Sequence, residues 1–243
     1  CVKPVALVTG AAARIGACTV RHLQKAGYRV VLHYYRSHDK AAELATELNA
    51  LSDDTVRLAA ADLQEPAAIE RLAHQTIDAW GRLDLLVNNA SSFFPTPLGT
   101  ITLEQWNNLM GSNARAPLLL SQHLATALRT SHGSIVNIID STSRYGLAQF
   151  IPYAMAKAAL ANMTRSLARE LAPQVRVNGI APGAILWPEY EGGISDSDMQ
   201  KTLDRTALGR IGSPDDIANA VLFLAQASYV TGQIIKVDGG VRS

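Results

Sequence analysis

Cysteine is scarce: the 243 residues contain two, Cys1 and Cys18. Two are too few for a disulfide framework, and that scarcity fits a reducing compartment. Neither has the spacing of a metal site. Charge of one sign is also missing. The net charge is +1 and there is no run of five like charges, so neither a nucleic-acid nor a membrane surface is expected. No apolar run reaches the roughly 18 residues of a membrane span, and no secretory leader is visible. A strand pattern begins directly after Cys1 in "VKPVALVTG". That cysteine therefore reads as a trimmed end rather than a lipid-modified one, and a cytoplasmic location is expected. There is no Gly/Ser-rich or Pro-rich linker and no short repeat, so one domain over 1–243 is expected.

What is present is alternation. Apolar residues make up 48% of the chain, which suits a globular protein. Short apolar runs, "PVALVTG", "RVVLHY", "TVRLAAAD", "LDLLVNN", "SIVNIID", "VRVNGIAPG" and "QIIKVDGG", are separated by helical patterns such as "DKAAELATELNAL" and "LEQWNNLMGSNARAPLLLSQHLATALRTS". Nearly continuous apolar strands are the mark of a parallel sheet covered on both faces. The pattern predicts an α/β, Rossmann-type, doubly wound sheet of about seven strands with helices on both faces.

In open parallel sheets, ligands gather at the carboxyl ends of the strands. The first end reads "TGAAARIG". Gly10 and Gly16 allow a sharp turn and a helix start close to a ligand, where free N–H groups and the helix dipole favour a pyrophosphate. Arg14 takes the place of a middle glycine, with Ile15 next to it. The second end reads "HYYRSHD". A cofactor without a 2′-phosphate usually meets an acid there, and His33 to Ser37 contain none. They offer His33, Tyr34, Arg36 and Ser37, and a guanidinium with a hydroxyl suits a phosphate. NADPH/NADP is therefore expected over NADH. Later strand ends add Asp62 and Leu63, then Asn89, Ala90 and Ser91, then Ile138, then Pro182 and Gly183 as cofactor contacts. No metal site is expected, because His22, His74, His123 and His132 read as surface residues without metal spacing.

The stretch "NIIDSTSRYGLAQFIPYAMAK" ends an apolar run on Asp140 and then opens a helix at Pro152. Tyr153 and Lys157 lie one turn apart on that helix. An ammonium near a phenol favours the phenolate and lowers its pKa, which makes the pair a candidate acid catalyst.

"TGAAARIG", "ADL", "NNA", Ser112–Asn113, "YAMAK", "APG" and "VTGQIIKVDGG" together resemble the short-chain dehydrogenase/reductase family over essentially the whole chain. The resemblance implies Tyr153 as general acid, Lys157 as its electrostatic partner and Asn113 as holder of a water relay. Two features depart from most of that family: Asp140 in place of a serine, and "NNASSF" in place of "NNAG". With Arg14 and "HYYRS", they resemble its pteridine reductase branch. That branch implies hydride transfer to a pterin or folate, a ring stacked by Phe93 (or its neighbour Phe94), and substrate contacts from Arg14, Ser91, Asp140 and Tyr153. It also implies methotrexate-like antifolates as inhibitors and a homotetramer built on the helices near 102–130 and 152–172.

The irregular stretch 184–213 reads either as a substrate lid or as a surface excursion. Trp187 within it either walls the substrate pocket or packs the lid. Two other functions stand as alternatives: a carbonyl reductase of 3-oxoacyl type, and a non-catalytic NADP-binding sensor.

Overall fold

The computed structural model describes residues 2–186 and 195–241. Each of the seven apolar runs becomes a strand: β1 (Val5–Val8), β2 (Arg29–Tyr34), β3 (Val56–Ala60), β4 (Leu85–Asn88), β5 (Ser134–Ile138), β6 (Arg176–Pro182) and β7 (Ile234–Val237). They form one sheet in the order β3-β2-β1-β4-β5-β6-β7, with every pairing parallel. The strand order reverses at β1/β4, and the long cleft opens along the carboxyl ends around that point.

Side chains alternate between the two faces of each strand, so Val5 and Leu7 join one core and Ala6 and Val8 the other. The first core is closed by α3 (Pro66–Trp80), α5 (Ala116–Ser131) and α6 (Ile151–Glu170), through residues such as Leu72, Leu124 and Ala168. The second is closed by α1 (Arg14–Lys25), α2 (His38–Leu51) and α8 (Pro214–Gln226), through Leu23, Leu44 and Val221. The central strands are buried throughout, whereas the edge strands β3 and β7 are partly exposed. That is why the central runs read as continuously apolar.

The long helical pattern after Leu103 is broken in the structure. It forms α4 (Leu103–Met110), a π-helical turn over Gly111–Arg115, and then α5. Pro117 explains part of the break, because it lacks the N–H that a continuous α-helix would direct at the Asn113 carbonyl. Asn113 contributes too: its Nδ2 donates to the carbonyls of Leu109 and Ser92, both at 3.0 Å.

His33 is built inward. Its Nδ1 accepts the Gly10 N–H at 3.1 Å, and its Nε2 donates to the Ala61 carbonyl at 3.1 Å. The ring thus ties the glycine turn after β1 to the chain leaving β3. Burial lowers its pKa from 6.5 to about 4. Between those values the unfolded chain holds a proton that the folded one refuses, so acid favours unfolding and the effect vanishes above pH 6.5. Urea denaturation is expected to show stability falling by about 3 kcal/mol from pH 6.5 to 4 on this account. His33→Asn, which cannot titrate, is expected to flatten that stretch of the curve.

Candidate active site

Two cavities share the carboxyl edge of the sheet, one of about 510 Å³ and one of about 580 Å³. Arg14, Ile15, Asn89 and Ser91 line both, so together they form one trough.

The first cavity surrounds the glycine turn. Gly10 has φ +61°, and a Cβ added there would lie 2.9 Å from the Ala90 Cα; one on Gly16 would overlap the Gly10 carbonyl. Only glycine lets these two backbones approach so closely. Asn89 locks the turn by donating to the carbonyls of Thr9 (2.8 Å) and Gly10 (3.0 Å). Thr9 Oγ1 in return accepts the N–H groups of Asn89 and Ala90. Arg14 opens α1 with φ +54°, an uncommon angle for a residue with a side chain. The helix start has neither a side-chain cap nor an acidic residue in its first turn, which leaves its N–H groups to an anion.

The ends of β2 and β3 provide the rest of the wall, with Tyr34, Tyr35, Arg36 and Ser37 on one side and Asp62, Leu63 and Gln64 on the other. The Arg36 guanidinium lies 4.8 Å from the centre of the Tyr35 ring and donates to its hydroxyl at 3.3 Å. Asn108, also in the wall, keeps a buried Oδ1 with no partner among the described residues. Narrow glycine turn, uncapped helix start, basic far wall and unpaired acceptor all fit a dinucleotide cofactor. His33 lines this cavity with both ring nitrogens engaged by the protein, so it props the turn and offers no charge to a phosphate.

The second cavity is lined by the candidate catalytic residues Asp140, Tyr153 and Lys157. Asp140 follows β5 and caps a short 3₁₀ turn over Ser141–Arg144. Its Oδ1 accepts from the Thr142 N–H (2.7 Å) and hydroxyl (2.6 Å), and its Oδ2 accepts from the Tyr153 hydroxyl at 2.7 Å. Lys157, fully enclosed, donates from Nζ to the Ile138 carbonyl at 2.9 Å and lies 5.8 Å from the centre of the Tyr153 ring. Burial pulls its ammonium down to about 8, against the pull of Asp140. The phenol shifts opposite to the sequence expectation. Burial first, then the Asp140 charge and hydrogen bond, push Tyr153 well above the ordinary tyrosine value. The carboxylate in direct contact outweighs the more distant ammonium, so Tyr153 is held protonated.

Phe93 sits edge-on to Tyr153, with ring centres 4.8 Å apart, and stacks on Phe150 at 4.6 Å. Thr96 and Phe150 form a β-bridge that zips the loop after β4 to the start of α6. Phe93 rather than Phe94 lines the cavity.

Every cofactor candidate named from the sequence lines one of the two cavities, as do Phe93, Asp140 and Tyr153. Asn113 lines neither. It is wholly buried behind the wall, where its Oδ1 accepts from Ser91 Oγ at 2.7 Å. Trp187 lies outside the described residues, as does part of the 184–213 stretch. The described remainder of that stretch includes an exposed helix, α7 (Asp196–Arg205), whose Thr202 reaches the second cavity. Sequence reasoning missed Thr142, Phe150, Tyr35 and Asn108. Thr142 had a local signal, since an Asp two residues ahead of a Thr suits an Asx turn. Phe150 had none.

Residues 10–242 match the family described as Enoyl-(Acyl carrier protein) reductase. The chain is 37% identical to "Pteridine reductase 1" of Leishmania tarentolae, covering 98% of this chain and 96% of that protein. It is 36% identical to the "Granaticin polyketide synthase putative ketoacyl reductase 2" of Streptomyces violaceoruber, covering 98% and 95%. It is 33% identical to a "3-oxoacyl-[acyl-carrier-protein] reductase" of Staphylococcus aureus, covering 97% of each chain. Sheet order, site and matches together make the chain a member of the short-chain dehydrogenase/reductase family, an NAD(P)-dependent oxidoreductase.

Proposed function

We propose that the protein is an NADPH-dependent reductase of pterin rings, taking a dihydropterin or dihydrofolate to the tetrahydro form and also accepting oxidised pterins. The observation that carries this reading is the 2.7 Å bond from Tyr153 to Asp140 at the tip of β5. When bound, the nicotinamide supplies the hydride. Tyr153 supplies the proton: its phenol stays protonated at neutral pH, and the Lys157 ammonium steadies the charge left behind. Asp140 is anchored through one oxygen by Thr142. Its remaining lone pairs can accept the amino and ring N–H groups of a pterin, or return a proton to Tyr153. A serine in its place would suit the alkoxide of a carbonyl reduction, whereas a C=N bond needs a proton on nitrogen. Phe93, 36% exposed beside Tyr153, offers a face for a flat ring. Arg14 and Ser91 border both cavities and so serve cofactor and substrate alike. Asn113 holds Ser91 and orders the relay behind it. Arg36 and Ser37 receive the 2′-phosphate.

Carbonyl reduction of 3-oxoacyl type is the competing reading, favoured by the ketoacyl reductases among the relatives and disfavoured by Asp140. Within the 184–213 stretch, α7 serves as a flank of the substrate site, with Thr202 as its contact to the cavity. The exposed Leu103, Leu118, Ile151 and Met155 on α4, α5 and α6 support a homotetramer closed over those helices.

Steady-state NADPH oxidation is expected with at least one of dihydrobiopterin, dihydromonapterin and dihydrofolate, with methotrexate competing. Pterins inert beside a rapidly reduced β-ketoester would transfer the assignment to the carbonyl reading. Tyr153→Phe is expected to lower kcat by about 100-fold or more while NADPH still binds by fluorescence titration. Arg36→Ala is expected to weaken NADPH by about tenfold, ~1.4 kcal/mol, through the lost charged contact. NADH should be nearly unaffected, and equal weakening of both would remove Arg36 from phosphate recognition.

A further inference from the structure

Where α8 packs along α1, three different metal-ligating side chains converge. Cys18 and His22 lie one turn apart on α1, and Asp215 lies in the first turn of α8. Cys18 Sγ is 3.5 Å from Asp215 Oδ1, and His22 Nε2 is 3.4 Å from the same oxygen. Sγ is 3.6 Å from His22 Nδ1, and one ligand atom from each residue lies within 4.8 Å of the others. Tetrahedral zinc, with bonds of about 2.3 Å to sulfur and 2.0 Å to nitrogen or oxygen, has ligand-to-ligand edges of about 3.3–3.6 Å. The two edges that meet at Asp215 Oδ1, 3.5 Å from Sγ and 3.4 Å from Nε2, are already at that spacing.

The imidazole is also oriented for a metal. Nδ1 lies 3.0 Å from the Cys18 carbonyl oxygen, which can only accept, so Nδ1 carries the proton. Nε2 is then the ring nitrogen turned to the Asp215 carboxylate, 3.4 Å away, and the one placed to bind a metal beside it. A backbone carbonyl on the far nitrogen is the usual way a protein orients a metal-binding histidine. Access is open: the His22 side chain is 25% exposed and that of Asp215 65%.

We propose that Cys18, His22 and Asp215 form a zinc site that fastens α1 to α8, with water in the fourth position. One thiolate, one imidazole and one carboxylate suit Zn²⁺; Mg²⁺ and Ca²⁺ take oxygen shells. On uptake the Cys18 thiol releases its proton to solvent as the Zn–S bond forms, and nothing is oxidised or reduced. The two anionic ligands balance the ion. The first turn of α1 carries Arg14, Ile15 and Gly16 in the cofactor cavity wall, so the ion would brace the helix that cradles the cofactor. This revises the sequence expectation of no metal. Two ligands four residues apart on one helix were visible, but the third lies 197 residues farther along.

The test is titration of the metal-free, untagged chain with Co²⁺ and then Zn²⁺. The expected result is one Co²⁺ per chain, with a thiolate-to-cobalt charge-transfer band in the near-ultraviolet and the strong visible bands of four-coordinate cobalt, all bleached by one equivalent of Zn²⁺. Cys18→Ala is expected to lose the charge-transfer band. His22→Ala and Asp215→Asn are each expected to weaken binding by about tenfold or more, and Cys1→Ser to change nothing. Zn²⁺ is expected to raise the thermal midpoint of the parent but not of Cys18→Ala. No band in the parent overturns the site, as does a band that survives in Cys18→Ala or disappears in Cys1→Ser.

Discussion

The chemistry depends on how α6 is pinned to the tip of β5. Two side chains one turn apart make the joint: Lys157 donates to the Ile138 carbonyl, and Tyr153 donates to Asp140 two residues farther along the same strand exit. The Lys157 bond is buried, where an ammonium needs a partner to stay charged. The Tyr153 bond lies at the cavity wall, where the phenol remains available to a ligand. One helix turn therefore sets both the position of the proposed acid and that of the ammonium beside it. Neither group can shift without breaking a hydrogen bond in a poorly solvated place.

Rigidity beneath the site comes from polar cross-links between strands. Asn88 donates to Asn137, which donates to Thr164 on α6, all in the buried interior. This chain joins β4, β5 and α6 directly under the residues that line the second cavity. At the first cavity His33 and Asn89 do the same for the glycine turn, each holding backbone groups that would otherwise be left unpaired. Both cavities thus sit on strands and turns that are already cross-linked, and a ligand need not reorganise them.

The sheet was legible because its signal is local. Each strand is a short run whose burial is written in its own residues, and the glycine turn, the Tyr153/Lys157 spacing and the missing acid after β2 all fall within a few positions of one another. The parts that escaped depend on contacts distant in sequence. Phe150 stacks on Phe93 across 57 positions, set by a bridge from Thr96 that no periodicity announces. The π-turn at Gly111–Arg115 combines Pro117 with a side chain reaching back to Ser92; either alone reads as an ordinary helix. His33 looked like a phosphate ligand by position, but its direction was decided by the carbonyl of Ala61 just past the end of β3.

The Tyr153 pKa shows how a local reading can identify the right pair and still mistake the dominant force. Spacing alone brings an ammonium near the phenol and suggests a lowered value. The fold adds a carboxylate at hydrogen-bond distance and removes water, and both effects favour the neutral phenol. Burial acts first, and the carboxylate bonded to the phenolic oxygen adds to it. The consequence is chemical: a protein with a serine at position 140 would leave Lys157 as the controlling charge and poise the tyrosine to give up its proton readily. With Asp140 the phenol keeps its proton more tightly, as a donor to the carboxylate. On the pterin reading proposed above, N–H groups of the substrate would bond the carboxylate and loosen its hold on the phenol.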